Sequence, residues 1–194
     1  MPDIRLTKIE LKRQKDNLKR FRRYLPTLYI KQQLLQTELG RINEALDILK
    51  NSEKKLIGNV IPWQALFCEN ANLERKVRVE EILIGSDHIA GVDIPVLKSI
   101  TLKTAFYDVL TTPLWVDTAV SVLQALVELR IKVSFLAEQK RLLFEELTIT
   151  SQRVNLFEKI KIPEARNAIH RINVYLGDLE TVAAGWARMA KKRI

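Results

Sequence analysis

The feature that most constrains the fold of this sequence is a pair of long seams in which apolar residues recur at alternating spacings of three and four. This spacing averages about 3.5 residues, so each seam forms a stripe along one face of an α-helix. The sequence therefore predicts two long amphipathic helices. The seam positions are Leu18, Phe21, Leu25, Leu28, Gln32, Leu35, Leu39, Ile42, Leu46 and Leu49 in the first helix, and Trp115, Ala119, Val122, Leu126, Leu129, Val133, Leu136, Lys140, Leu143, Leu147, Thr150, Val154 and Phe157 in the second.

Each stripe would face water if its helix stood alone, so we expect the two helices to pair along their seams and to run antiparallel. The predicted fold class is dominated by α-helix: a long antiparallel two-helix coiled coil with a small central β-hairpin insert. We place the N-terminal helix in residues 1–55, starting near residue 3, the insert in residues 56–112, and the C-terminal helix in residues 113–194.

Two prolines interrupt the helical pattern. Pro26 lies inside the first seam, where it lacks an N–H and crowds the preceding turn, so a kink or brief break is expected there. After Phe157 the second seam slips by one residue beside Pro163, which predicts that the second helix bends or restarts near that proline. The displaced stripe continues through Ile162, Ala165, Ile169, Ile172, Leu176, Leu179, Ala183, Trp186 and Ala190.

Between the seams the periodicity changes from helical to alternating, which predicts a β-hairpin. Apolar residues alternate with charged ones from Val77 onward and again from Val92 onward. We expect residues 85–87 (Gly-Ser-Asp) and Gly91 to supply the turn and bulge, and Pro95 to restrict its strand to a sheet edge. Residues 98–110 are interpreted as a short strand or helix that returns to the coiled coil.

The net charge of +9 is concentrated at the two ends of the chain. Residues 1–24 hold nine Lys and Arg against three Asp and Glu, residues 159–194 hold eight against three, and residues 25–158 hold fifteen against seventeen. Antiparallel pairing brings the basic ends together, where they repel one another unless an acidic or dipolar partner covers them. Nucleic-acid phosphate, an anionic membrane and the inside of a protein ring all fit this requirement.

The residues give no indication of catalysis, of a cofactor or of a metal. The phosphate-binding patterns GxxxxGK[ST] and GxGxxG do not occur. His88 and His170 lie far apart, without Cys or acidic residues at metal-ligand spacing, and the single Cys68 is interpreted as a buried thiol. Because the sequence has neither a run of eighteen apolar residues nor a secretory signal pattern, we expect a cytoplasmic protein that does not span a membrane.

The stretch TSQRVNLFEKIKIPEARNAIHRINVYLGDLE (residues 150–180) resembles the C-terminal signature of the D subunit of V-type and A-type ATPases. That signature is a Gln-Arg-Val-Asn run, an aromatic residue or Leu, a Glu, an apolar-Pro step and an amphipathic helix. The segment LTKIELKRQKDNLKR (residues 6–20) is similar to the opening helix of the same family. The signature positions here are Gln152, Arg153, Val154, Asn155, Phe157, Glu158, Ile162 and Pro163.

The resemblance implies a non-catalytic axle that couples ATP turnover to proton or sodium transport. Both termini would insert into a hexamer of catalytic and non-catalytic subunits, A and B, and the opposite end would dock on the socket of the membrane rotor, which is the C or d subunit. The small F subunit of the stalk would bind the central part. Such a chain would be peripheral to the membrane, in the cytoplasm, without inserting into it.

The same resemblance, together with the charge at the two ends, indicates two interaction surfaces. We call the first the basic surface and expect it to contact the hexamer; its members are Arg5, Lys8, Lys12, Arg13, Lys15, Lys19, Arg20, Arg22, Arg23, Arg166, Arg171, Arg188, Lys191, Lys192 and Arg193. The second is the hairpin, expected to face the stalk partner through Val77, Val79, Ile82, Ile84, Val92 and Ile94.

The main alternative is a basic coiled-coil protein that binds nucleic acid or an anionic membrane, which a sequence pI near 9.7 would suit. Against it, the basic ends show no known DNA-reading module. Trp115 and Trp186 occupy seam positions, which favours packing over base stacking, whereas Trp63 fits either a partner contact or a small satellite core. A passive tether with the same coiled coil is the second alternative.

Overall fold

A computed structural model of the chain describes residues 5–68, 76–106 and 112–192. Two long helical regions flank a two-stranded antiparallel sheet, which confirms the predicted fold class. In chain order the elements are α1 (Lys8–Val60), a 3-10 helix (Ile61–Cys68), β1 (Val77–Ile89), β2 (Val92–Thr104), α2 (Trp115–Asn155), a π-helical turn (Leu156–Lys161) and α3 (Ile162–Lys192).

The chain divides into two compact units. The terminal unit contains the described residues of Met1–Gln33 and Thr148–Ile194, and the central unit contains those of Leu34–Leu147. The terminal unit therefore takes the start of α1 with the end of α2, the π turn and α3. The central unit takes the remainder of both helices with the hairpin.

The core of the central unit forms along the predicted seams. Leu35, Leu39, Ile42 and Leu46 of α1 are buried together with Leu143 of α2. The helices run antiparallel here, because the Arg130 Nε of α2 donates to Glu53 Oε1 of α1 at 3.1 Å while Leu143 packs near the earlier part of α1. The hairpin closes this core with Ile94, and further side chains pack around it: Ile89, Ala90, Val92, Val133, Leu136 and Leu147.

The prediction is wrong for one seam position of the central unit. Lys140 is exposed, and the neighbouring Gln139 is buried instead, with 9% of its surface accessible. The hairpin covers this side of α2, where the Gln139 Nε2 donates to the backbone oxygen of Pro95 at 2.6 Å. A neutral amide can make that bond in a buried place, whereas a lysine ammonium would have to give up most of its hydration.

The terminal unit is a second antiparallel helix pair. Phe21 of α1 stacks on Phe157 with ring centroids 5.3 Å apart, and further along α1 the Gln32 Nε2 donates to Ser151 Oγ at 3.0 Å. Residue numbers rise along one helix as they fall along the other, so the pairing is antiparallel. The buried apolar side chains of the second helix in this unit are Val154, Ile162, Ala165, Ala168 and Ile172.

The predicted interruption beside Pro163 is a π-helical turn. The Ile162 N–H donates to the backbone oxygen of Phe157, five residues earlier instead of four. A π turn accommodates one additional residue per turn, so the one-residue slip in the seam leaves Phe157 and Ile162 on the same face. The predicted break at Pro26 is wrong, since α1 continues through that proline from Lys8 to Val60; a bend at either proline stays a prediction.

The hairpin differs from its prediction in the position of the turn. Residues 85–87 are paired inside β1, opposite Val96, Pro95 and Ile94, and the chain reverses at Ala90 and Gly91. Both turn residues have positive φ, 51° and 83°, as a two-residue hairpin turn of the primed type requires. The Gly-Ser-Asp composition therefore misled the assignment of the turn, whereas Gly91 is confirmed as a turn residue.

β2 extends to Thr104, and residues 107–110 of the predicted return segment lie outside the described residues.

We expect Leu35→Ala to lower the free energy of unfolding by roughly 2–5 kcal/mol, because Leu35 is fully buried and its truncation leaves a cavity in the core. Leu34→Ala is a matched control, since this neighbouring leucine is 52% exposed; we expect it to cost less than about 1 kcal/mol. Urea unfolding followed by helical circular dichroism measures both. Equal losses for the two variants would contradict the assignment of the seam.

Candidate partner-binding surfaces

The basic surface lies within the terminal unit. This unit holds 19 Lys and Arg against 7 Asp and Glu (+12), whereas the central unit holds 13 against 16 (−3). All thirteen of its members whose side chains are described are exposed. Lys192 is described only in its backbone, and Arg193 lies outside the described residues. The antiparallel pairing thus collects the two basic ends in one compact unit.

Many of these cations on α1 lie in a single stripe. Lys8, Lys12, Lys15, Lys19 and Arg22 recur at alternating spacings of four and three, and Lys19 and Arg22 directly follow the seam positions Leu18 and Phe21. The stripe therefore follows the edge of the helix seam, and its charged groups project into solvent. Exposed carboxylates are sparse beside it. Among the described residues of the basic surface only Arg13 makes an ion pair, at 3.6 Å from Glu10.

The end of α3 presents a second, apolar stripe. Leu179, Val182, Trp186 and Met189 recur at spacings of three and four and are 48%, 54%, 74% and 72% exposed. Packing was predicted for Trp186, and this is wrong within the described chain. Phe21 faces Phe157 and α1 begins at Lys8, so the helix pair runs out near the level of Ile172. Beyond that level α3 has no α1 turn to pack against.

The predicted hairpin surface divides into a buried part and an exposed part. Ile94 is 4% exposed and lies in the core of the central unit, and Val92 packs partly against that core, so neither offers a free face. Val79 and Ile84 are 44% and 60% exposed. Leu83, which was not predicted from the sequence to belong to this surface, is 49% exposed. The remaining predicted positions, Val77 and Ile82, are half-buried.

The signature residues lie at the junction of α2 and α3. Val154 is buried, Phe157 stacks on Phe21, and Glu158 accepts a hydrogen bond from the Tyr29 hydroxyl. That hydrogen bond, followed by burial and by the negative charge of Glu158, raises the pKa of Tyr29. Gln152, Arg153, Asn155 and Pro163 are exposed. The motif thus builds the contact between two helices, and its partners on α1, Phe21 and Tyr29, were not predicted as a pair with it.

The two histidines and the single cysteine lie on three different elements. His88 Nδ1 lies 2.7 Å from Asp93 Oδ1 across the hairpin, and His170 is exposed on α3. Cys68 ends the 3-10 helix, and its side chain lies outside the described residues. In the described parts of the chain no three His, Cys, Asp or Glu side chains cluster in a way that would hold a metal ion. No helix there is both long and apolar enough to cross a membrane.

The amino-acid sequence is similar to known proteins along nearly its whole length. The sequence model of the family of ATP synthase D subunits matches residues 10–192. The chain belongs to this family. The D subunit of the V-type ATP synthase of Borreliella burgdorferi is 42% identical over 194 residues, covering 100% of this chain and 96% of the relative. The corresponding D subunits of Chlamydia felis and Chlamydia pneumoniae are 34% and 33% identical, each covering 98% of this chain and 93% of its own length.

Membership of this family confirms the resemblance carried by residues 150–180. The geometry offers three exposed surfaces: a basic stripe on α1, an apolar stripe at the end of α3 and a hairpin face. That any of them binds a partner stays a prediction.

We expect Tyr29→Phe to reduce the loss of stability at alkaline pH. The raised pKa means that the folded state holds the phenolic proton more tightly than the unfolded state does, so this contribution is complete below about pH 10 and is lost as the pH rises through the folded pKa. Urea unfolding between about pH 8 and pH 11 measures the effect. Tyr24→Phe is the control, since Tyr24 is 58% exposed. An unchanged alkaline profile in Tyr29→Phe would contradict the role of the Glu158 contact.

Proposed function

We propose that this chain is the central axle of a V-type or A-type rotary ATPase and transmits torque between ATP turnover in a catalytic hexamer and ion transport by a membrane rotor. The observation that carries the proposal is the match to the ATP synthase D subunit over residues 10–192, in a chain built from two long antiparallel helices. Paired helices resist twist better than a single helix, because seam contacts must slide or break when the pair is distorted.

The proposed role includes no catalytic step on this chain. Its part is mechanical: as it turns, the basic surface and the apolar stripe of α3 present different chemistry to each surrounding subunit. The hexamer of A and B subunits would surround the terminal unit, the small F subunit would bind the central unit, and the socket (the C or d subunit) would hold the chain on the membrane rotor. The chain would then be cytoplasmic and peripheral to the membrane.

The charge division between the two units supports the placement of the hexamer. The terminal unit carries +12 and the central unit −3, so an acidic ring would attract one unit and not the other. Trp186 and Met189 are exposed, and binding of the hexamer around them would remove their apolar surface from water. Aromatic residues, Met and Arg are enriched at protein interfaces, and the end of α3 contains all three.

We expect replacement of five cations of the basic surface by glutamine (Lys12, Arg13, Lys15, Arg20 and Arg171) to weaken binding to the A and B hexamer by about tenfold or more, since each rim charge is worth about 0.2–1 kcal/mol. Binding to the purified hexamer and ATP turnover of the reconstituted complex are measured at two salt concentrations.

The matched control replaces five exposed lysines of the central unit by glutamine: Lys50, Lys54, Lys55, Lys98 and Lys140. It changes the net charge equally and should leave hexamer binding within about twofold of the unmodified chain. Equal effects of the two variants would contradict a hexamer-facing basic surface. Steeply salt-dependent binding to duplex DNA that outcompetes the hexamer would instead favour the nucleic-acid alternative.

A further inference from the structure

The two outer edges of the hairpin have different surroundings. The edge of β2 lies along α2, where the Gln139 Nε2 donates to the backbone oxygen of Pro95 at 2.6 Å. Further along the same strand, the Gln124 Nε2 donates to Thr104 Oγ1 at 3.3 Å. Because the sheet has only two strands, its other outer edge belongs to β1.

The turn determines which backbone groups of β1 point outward. In a hairpin with a two-residue turn, the residues that flank the turn exchange hydrogen bonds, and such pairs alternate along the ladder. Gly85 therefore bonds to Val96, whereas Ile84 and Ser86 direct their N–H and C=O groups away from β2. The Pro95 oxygen, which points outward to α2, agrees with this alternation.

We call the stretch of β1 from Ile84 to Ser86 the open edge. Neither of these two residues forms a hydrogen bond outside the sheet with any part of the chain that the structure describes, and both are exposed. Towards the turn the stretch is closed at His88, whose N–H donates to Asp87 Oδ1 at 2.8 Å. A strand edge with unpaired backbone groups can pair with a further chain.

A lysine side chain crosses the sheet at the centre of the open edge. Lys98 is the extra residue of a β-bulge in β2, between Leu97 and Ser99. Its Cε lies over β1, since a Cβ built on Gly85 would be only 2.5 Å away from it. Glycine inside a strand often marks such a close approach. Lys98 is exposed, and it forms no ion pair with a described residue.

The position of Lys98 determines which charge an added strand should carry. The residue directly opposite Gly85 would point to the same face of the sheet, with its Cβ about 4.5–5.5 Å from the Cβ position of the glycine. An aspartate or glutamate at that place would bring its carboxylate to the Lys98 ammonium. Two residues further along the same face, the exposed Asp87 would repel a second acidic residue.

We propose that the open edge binds an extended segment of a partner protein by antiparallel strand addition, and that Lys98, lying across Gly85, selects a segment with Asp or Glu opposite that glycine. Antiparallel pairing is the more stable arrangement per residue. The site follows from the hairpin alone, whereas its use in a rotary ATPase rests on the proposed function.

NMR titration of the isotope-labelled full-length chain with a blocked peptide tests the site. The peptide alternates threonine and valine around one central glutamate and has a lysine at each end; a second peptide has glutamine at the centre. We expect the glutamate peptide to shift the amide signals of residues 84–88 and to bind about twofold to fivefold more tightly, as is typical of one exposed ion pair. Absence of these shifts, or equal affinities, overturns the proposal.

Single substitutions separate the strand edge from the lysine. Lys98→Gln and Gly85→Ala should each abolish the preference for glutamate and leave binding of the glutamine peptide unchanged, because the alanine methyl displaces the lysine and the φ of Gly85 is not positive. The double variant should lose no more than either single one. Lys103→Gln is the matched control, since Glu80 holds that lysine at 2.9 Å, and it should keep the preference. Retention of the preference in Gly85→Ala overturns the role of the glycine.

Methylation of peptide nitrogens distinguishes strand addition from a contact through the lysine alone. In antiparallel addition the residue opposite Gly85 directs its N–H away from β1, and its two neighbours direct theirs to Ile84 and Ser86. Methylation of the two neighbouring nitrogens should therefore abolish binding, whereas methylation of the glutamate nitrogen should change the affinity by less than about twofold. Equal effects of the two modifications, or the reverse order, overturn antiparallel addition.

The use of the site is tested in the reconstituted ATPase. A chain with photoreactive benzoylphenylalanine in place of Ile84 should crosslink to an extended segment of another subunit that contains an acidic residue, and Gly85→Ala should lower the yield. A crosslink to a helix, or to a segment without an acidic residue, overturns this use. Failure of the unmodified chain to assemble would overturn the proposed function instead, and the peptide titration would still decide whether the open edge binds an acidic strand.

Discussion

Burial of the two helix seams against each other is the interaction on which the structure depends. Leu35 and Leu143 in the central unit and Ile172 in the terminal unit are fully inaccessible to solvent. A leucine or isoleucine side chain removed from water contributes about 1.5–3 kcal/mol, and the seams repeat such positions at regular intervals. Because each helix provides the other's cover, neither amphipathic face would be stable alone. The hairpin adds to this arrangement through Ile94, which closes the core of the central unit.

Polar groups in and beside the seams restrict how the elements can align. The bond from Gln32 to Ser151 joins the two helices of the terminal unit, and the bond from Gln139 to Pro95 joins α2 to the hairpin. A shifted pairing would break these bonds, and it would leave the amide of Gln139 buried without a partner. Beside the bond from Gln32 to Ser151, Thr150 is almost completely buried, and its Oγ1 has no hydrogen-bond partner among the described residues. Such polar positions in a coiled coil specify its register at some cost in stability. In a chain proposed to transmit torque, a single register would keep the paired helices from sliding past each other.

The exposed surfaces of the two units differ in charge and in their apolar patches. The terminal unit concentrates positive charge and carries the exposed apolar stripe of α3, whereas the central unit is slightly acidic and carries the exposed hairpin face of Val79, Leu83 and Ile84. The signature residues belong to neither surface: through Phe157 and Glu158 they hold α3 against α1 beside the π turn.

Periodicity in the sequence determined the two helices, their antiparallel pairing and the buried positions from Leu35 to Leu46, because heptad spacing is a local property that any helical backbone converts into one apolar face. The one-residue slip after Phe157 likewise required a local irregularity, and the residues 150–180 identified the family. Tertiary structure alone decided that Gln139 and not Lys140 is buried, since a strand from the insert covers that side of α2. It also decided that Ile94 faces the core and that Trp186 lies beyond the end of its partner helix. Each of these depends on which distant residues meet, and spacing along one helix carries no information about that.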